Sequence, residues 1–299
     1  HLDTALEYFQ LALEKDPNYA LAHAGISYVW GSRGDCGFIP PREAFAKAKE
    51  AALKAVELDD TLAEVHECLA NVRFCWEWDW SGAEREFRRA LELNPNSADA
   101  RFFYSDFLIS MGPPEEAMAE SRRALELDPL SFVFQCFLGW HWLYLRRADN
   151  AIAQFRKTLR TEPNFPAAHL GLWGAFHQKG MYEEALAEAE TFSTLLGETE
   201  VAKALARGYP ELGYPGAMRL AAEKLVARSN LTYVPSIRIA RLYAHARENE
   251  RALDWLEKAY EEHESPLVHL SVGWDWHNLR DEPRFRELVR RMKFPASAP

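Results

Sequence analysis

Three prolines, Pro95, Pro129 and Pro163, stand 34 residues apart, and each closes a similar string. The strings are Ala90-Leu-Glu-Leu-Asn-Pro95, Ala124-Leu-Glu-Leu-Asp-Pro129 and Thr158-Leu-Arg-Thr-Glu-Pro163. Further back, Ala83, Ala117 and Ala151 recur at one place and Ala90, Ala124 and Thr158 at another. Phe87 and Phe155 fall between them, with Ser121 as the exception. A fixed period of this length commits a chain to stacked copies of one small unit, because no single copy can bury its own apolar face. Two helices of ~12–14 residues and two short turns fill such a period, with small residues where helices touch and bulky ones in the gaps. Each proline stops a second helix.

The same register divides the whole chain. Residues 1–19 supply only a second helix (Ala5, Phe9, Ala12, Pro17), so the array is expected to be cut inside a repeat of something longer. About seven units then occupy 20–267, beginning near Ala20, Ala63, Ala98, Phe132, Pro166, Glu198 and Tyr233. The unit at 20–62 has 43 residues, and its nine extra positions are expected as an ordered protrusion at Gly31–Pro41, with Phe38 and Ile39 buried. The units near 166–232 are degenerate, and 268–299 is read as a cap and tail. The amphipathic stretch Asp281–Met292 supplies the capping helix, since an end repeat needs a polar outer face. Gly139 and Ala151 are expected to face each other within one pair.

The pattern resembles the tetratricopeptide repeat. The unit from Phe132 carries most of that motif in Leu138, Gly139, Trp142, Ala151, Phe155 and Pro163. The resemblance implies an all-α fold, a right-handed α-solenoid of antiparallel helix pairs with a C-terminal capping helix. A narrower likeness lies in Phe38-Ile-Pro-Pro-Arg-Glu-Ala44, Trp78-Asp-Trp-Ser-Gly82 and Trp255-Leu-Glu-Lys-Ala-Tyr260. These are similar to the carboxy-terminal arrays of large bacterial signalling proteins, where such an array follows a winged-helix, Ser/Thr kinase or adenylate cyclase domain. Gly273-Trp-Asp-Trp-His277 departs from that family's usual Asp-Pro-Arg-Phe-like stretch. The likeness implies a docking or receiver module rather than a catalytic part.

Other chemistries find little support. With 45 acids against 35 bases the chain carries a net charge of -10, which repels a phosphate backbone, so no nucleic acid is expected on this segment. No run approaches ~18 consecutive apolar residues, so no membrane contact is expected either. The segment is expected in the cytoplasm or, alternatively, as a periplasmic domain of a membrane-anchored protein. The four cysteines, Cys36, Cys68, Cys75 and Cys136, form no C-x-x-C pair and read as buried thiols. His66-Glu67 opens like a zincin motif, but Ala70 stands at the closing position. His23, His66 and His169 occupy equivalent repeat places too far apart to share a metal. No cofactor, metal or catalytic residue is expected. Trp76-Glu-Trp-Asp-Trp80 is either packing beside the enlarged unit or an aromatic patch for a partner.

The resemblance places each first helix on the concave surface. Its second, fifth, ninth and twelfth residues share one face at 3.6 residues per turn. The groove so read presents Glu64, Glu67, Asn71 and Phe74; then Asp99, Phe102, Asp106 and Ile109; then Val133, Cys136, Trp140 and Leu143; then Ala167, Leu170, Gly174 and His177. An acidic, aromatic section abuts an apolar one, and the lysines of a carboxylate clamp are missing. The expected partner is a protein or peptide segment of basic and apolar character. The alternative is an intramolecular or oligomerisation module that positions an upstream effector domain.

Overall fold

The computed structural model describes residues 2–295, and among these every regular element is helical. Helix α1 (Leu2–Lys15) is followed by α2 (Ala20–Asp35), α3 (Pro41–Leu58) and α4 (Ala63–Val72). Next come α5 (Trp80–Leu93), α6 (Ala98–Met111), α7 (Pro114–Leu127), α8 (Phe132–Tyr144) and α9 (Ala148–Thr161). The remainder comprises α10 (Pro166–Gln178), α11 (Tyr182–Leu195), α12 (Thr199–Ser229), α13 (Ser236–His245), α14 (Asn249–Glu261) and α15 (Pro283–Arg291). Consecutive helices pack as pairs from α2 to α11, and again at α13 and α14. The last tail residues, 296–299, and His1 lie outside the described residues.

One polar tie recurs at the fourth residue of five successive units. Each donates to the carbonyl six residues earlier, in the turn that enters its helix: His23 Nε2 to Pro17 O (3.2 Å), His66 Nε2 to Asp60 O (2.9 Å), Arg101 Nη2 to Pro95 O (2.7 Å), Gln135 Nε2 to Pro129 O (3.1 Å) and His169 Nε2 to Pro163 O (3.0 Å). These carbonyls would otherwise be left without partners where the chain reverses. The second helix adds a counter-group, so His66 Nδ1 meets Glu86 at 2.7 Å and His169 Nδ1 meets Glu188 at 2.6 Å. Glu86 pushes the His66 pKa up, and His66 holds Glu86 down. The three equivalent histidines are therefore structural donors.

The seam between units is apolar. Phe155 is fully buried between two glycines of neighbouring first helices, and a Cβ on Gly139 would lie 2.6 Å from its ring. Gly139 thus meets the ring of Phe155, one turn along α9 from the expected neighbour Ala151. Gly171 approaches the same ring from the next unit. The enlarged unit also differs from expectation. Gly31–Asp35 continue α2, so the added residues lengthen α2 to 16 and α3 to 18 residues, against 14 each in α6 and α7. Extending the helices satisfies backbone groups that a loop would leave to solvent, and the turn that remains exposes Phe38 at 62%. In α12 the backbone breaks at Gly213 (φ 67°), and Gly208 comes back against Ala217. That degenerate unit is a hairpin with almost no turn.

The C-terminal part does not stay at the end of the array. Two short 3-10 turns, Ser265–His269 and Trp274–Leu279, lie against the inner helices α2, α10 and α13. Leu267, Leu270, Trp274, Trp276 and Leu279 are all buried there. A Cβ on Gly174 would sit 2.5 Å from the Trp274 ring, so the missing side chain on α10 makes room for the indole. At ~1.5–3 kcal/mol per large apolar side chain, these five form a permanent part of the core.

The ends of the array also meet. Trp78 stacks on His263 (4.4 Å between centroids) and packs on Tyr260 (5.2 Å), while Trp76 packs on Phe45 (5.5 Å) and His263 (5.2 Å). Trp80 Nε1 donates to Met292 O at 3.1 Å. Arg42 reaches Glu261 O at 3.3 Å. The tryptophan cluster is the clasp of a closed superhelix, with one indole on the enlarged unit and its neighbours on the C-terminal helices. A short π-helical stretch, Arg73–Glu77, and a left-handed Trp78 (φ 54°) aim these rings.

Candidate binding surface

Closure divides the inner face into two halves. In the covered half Phe74 and Leu143 are fully buried, so neither lines an open groove as the register alone suggested. The reason is the C-terminal segment, whose His269 packs on Phe74 (6.3 Å) and stacks on Tyr144 (5.0 Å). Asp106 faces His269 Nε2 at 3.5 Å and His141 Nε2 at 3.6 Å, so this carboxylate holds the segment rather than a partner. Burial alone would raise the Asp106 pKa, but the two imidazoles outweigh it and hold the carboxyl well below its usual range. Ser110 Oγ meets His269 Nδ1 at 2.5 Å.

His177 is likewise engaged, stacked on His245 (4.1 Å) and tilted against Trp274 (5.9 Å). The Tyr214 hydroxyl accepts from Trp173 Nε1 (2.7 Å) and meets His177 Nδ1 (3.1 Å). Asp275 Oδ1 accepts from Arg241 Nε (2.9 Å) and lies 3.2 Å from His245 Nε2. Burial first, then repulsion from His245, Arg247 and His277, pushes His177 down to about 2, so it is neutral near pH 7. Among the described residues no group of His, Cys, Asp and Glu could hold a metal ion.

The other half is open. Glu64 and Asp99, near the starts of α4 and α6, reach solvent. Phe103, Val133, Phe137, Trp140 and Leu170 are half-buried on the faces of α6, α8 and α10, and Asn71 is half-buried on α4, donating to Glu67 O. Phe102 is itself buried at 5% and supports this strip from below, so its role as a lining residue is corrected. Rings run from Tyr28 to Phe103 (5.6 Å), from Phe103 to Phe102 (4.7 Å) and from Phe102 to Phe137 (4.8 Å).

Glu67 also lies deeper than expected, at 2% exposure, because the enlarged α2 brings Tyr28 over it and the phenol donates to Oε1. Its Oε2 is buried without a donor. Burial, then the fields of Asp99 and Glu64, raise its pKa to about 8 despite the Tyr28 bond. Asp99 is raised by partial burial and then by Asp128 and Glu64. Phe103, sixth in its unit, escaped the sequence reading because only four places per helix were taken as lining positions, and Tyr28, ninth in its unit, because the lining face was read only from Ala63 onward.

Two stretches, 79–132 and 138–191, match the tetratricopeptide-repeat family, on the same helix pairs whose seams and polar ties are described above. Over these residues the chain is a tetratricopeptide-repeat array. Beyond those stretches the likeness is one of fold. The chain superposes on a chain of the APC/C hetero-tetramer Cut9-Hcn1 with a TM-score of 0.63 at 16% identity, covering 98% of this chain and 52% of that one. The type IV pilus biogenesis factor PilW gives 0.51 at 19% identity, over 68% of this chain and 95% of its own. Among curated proteins, the transcriptional regulator HilA of Salmonella typhimurium is 27% identical over 117 residues, which is 39% of this chain. The array spans only 21% of HilA's length in that match. No helix among the described residues is long and apolar enough to cross a membrane.

Proposed function

We propose that the TPR array is a non-catalytic protein-interaction module, and that its recognition surface is the open half of the inner face. The observation that carries this is the neighbouring pair of solvent-reaching carboxyls, Glu64 and Asp99, at the edge of the aromatic strip. Half-buried Tyr28, Phe103 and Phe137 run alongside the pair. A lysine or arginine approaching there would be drawn by these two carboxylates and lie against aromatic faces. Its apolar neighbours would cover Phe137, Trp140 and Leu170. The ligand class is thus a basic, apolar protein segment, and membership in a larger bacterial regulatory protein fits the resemblance and the HilA match.

Selection from a random peptide library tests this. Recovered peptides should be enriched in Arg or Lys next to aromatic or aliphatic residues, and Asp99→Lys should abolish their binding. Peptides with no basic enrichment, or with undiminished affinity for the Asp99→Lys variant, would refute it.

A second reading is self-association or docking of a neighbouring segment through α1. It is favoured by Tyr8 and Leu11, which are 69% and 50% exposed on a helix without a single buried residue. Light scattering across a concentration series, with Leu11→Glu as the comparison, separates it from the first.

A further inference from the structure

Most cations of this array have carboxylate partners, as with Lys179 and Asp149 at 2.5 Å, or Arg284 with Glu250, Asp254 and Glu257. Arg146 and Arg280 do not. Each places one Nη2 on the same acceptor, the Gly273 carbonyl, at 3.4 and 3.3 Å. Both distances are long for an N–H donor. Arg280 Nε is buried and has no acceptor at all. Loss of water holds both guanidiniums below the ordinary arginine range, and for Arg146 the like charge of Arg280 adds to it. The nearest carboxylate that acts on Arg146 is Asp275, already engaged by Arg241 and His245.

Arg146 has φ 61° in the α8–α9 turn, a left-handed place that Gly180 (φ 71°) and Arg247 (φ 61°) fill in the α10–α11 and α13–α14 turns. Two guanidiniums therefore converge on one carbonyl with no carboxylate in salt-bridge contact, exposed Arg146 from a hairpin turn and half-buried Arg280 from the segment that fills the covered half. Each guanidinium has five N–H donors and gives one to Gly273 O, which leaves donors on both for a further acceptor.

We infer that Arg146 and Arg280 form a binding site for an oxyanion, a phosphate or a carboxylate group, at the outer mouth of the covered half. A planar fork matches such a group with two parallel bonds, and two forks can hold it from both sides. The site is separate from the acidic open half and independent of the function proposed for it.

Titration of the whole chain with inorganic phosphate, and separately with acetate, tests the site at constant ionic strength. Saturable binding of either anion is expected, weakened tenfold or more by Arg280→Gln and by Arg146→Gln. Arg123→Gln, on α7 and paired with Glu126, should leave it unchanged. Phosphate binding alone assigns a phosphoryl ligand, and acetate binding of equal strength assigns a carboxylate. Without added anion, Arg146→Gln should melt at the same temperature as the parent or higher, because a like-charge contact is relieved. A lower melting temperature would make Arg146 a structural prop for Gly273 and overturn the inference. So would the absence of saturable binding, or binding that both variants retain.

Discussion

The two halves of the inner face occupy the same helices and differ in what lies over them. Asp99, Phe103 and Asp106 share one face of α6, yet Asp99 reaches water while Asp106 is enclosed by His141 and His269. On α8, Phe137 and Trp140 stay half-buried while Leu143 is at 0% exposure. Helical periodicity groups Asp99 with Asp106, and Trp140 with Leu143, as lining positions, and leaves out Phe103 and Phe137. It cannot say which of them meet solvent, because that depends on a segment more than 100 residues away in sequence. The lesson is that a lining position in a solenoid is a binding position only where the chain has not lined it with itself.

The sharpest way to break this contrast is Trp274→Ala. Removing a buried indole costs ~3–5 kcal/mol, and urea unfolding should show that loss. A loss under ~1 kcal/mol would mean that the covered half is not sealed. Asp106→Asn should cost ~1.5–3 kcal/mol at pH 7, the range for hydrogen bonds to a charged group. Because the folded pKa of Asp106 is depressed, its contribution is present above the ordinary carboxylate range and lost as pH falls through the folded value. The melting temperatures of parent and variant should therefore converge in acid.

The open half responds with the opposite sign. Glu67 is raised to about 8, so its stabilising contribution is complete below the unfolded value of ~4.3 and is lost as pH rises through the folded one. Glu67→Gln should accordingly gain on the parent from pH 5 to pH 9 in thermal melts. An unchanged difference across that range would show that the carboxyl is solvated. The smallest effect on stability is expected for Phe103→Ala, under ~1 kcal/mol, since this ring is only half-covered. Affinity for peptides selected on the open half should nonetheless fall about tenfold, which a fluorescence titration measures.

Much of the fold was legible in the spacing. The 34-residue proline interval gives helix pairs, and helices do begin at Ala20, Ala63, Ala98, Phe132 and Pro166. The tie at the fourth position was hidden by its chemistry, since histidine, arginine and glutamine look unrelated until their common acceptor is seen. The candidate surface was legible only in part. The register named Glu64, Asp99 and Trp140, which reach or border solvent, together with Phe74, Leu143, Asp106 and His177, which lie in the part of the fold that residues 265–279 fill. Those residues carry no helical period, so nothing in their pattern marks them as filling. Two clues were available: Gly174, a glycine in mid-helix with no turn to explain it, and Trp274 with Trp276 in what read as a tail.

Closing the ends onto each other also changes when this protein can be finished. The contacts Trp80–Met292 and Arg42–Glu261 join residues separated by 212 and 219 positions. An ordinary solenoid can settle unit by unit as it leaves the ribosome, each copy resting on the one before. Here the early units emerge with Phe74, Leu143 and Trp173 bare on their inner side, and they stay so until residues beyond 280 have been made. Long-range closure is slow, and apolar surface left waiting is prone to aggregate. Synthesis of this array therefore carries a window of vulnerability that lasts until residues 265–279 have emerged, and a ribosome stalled inside α14 would hold a chain with a hollow, adhesive interior.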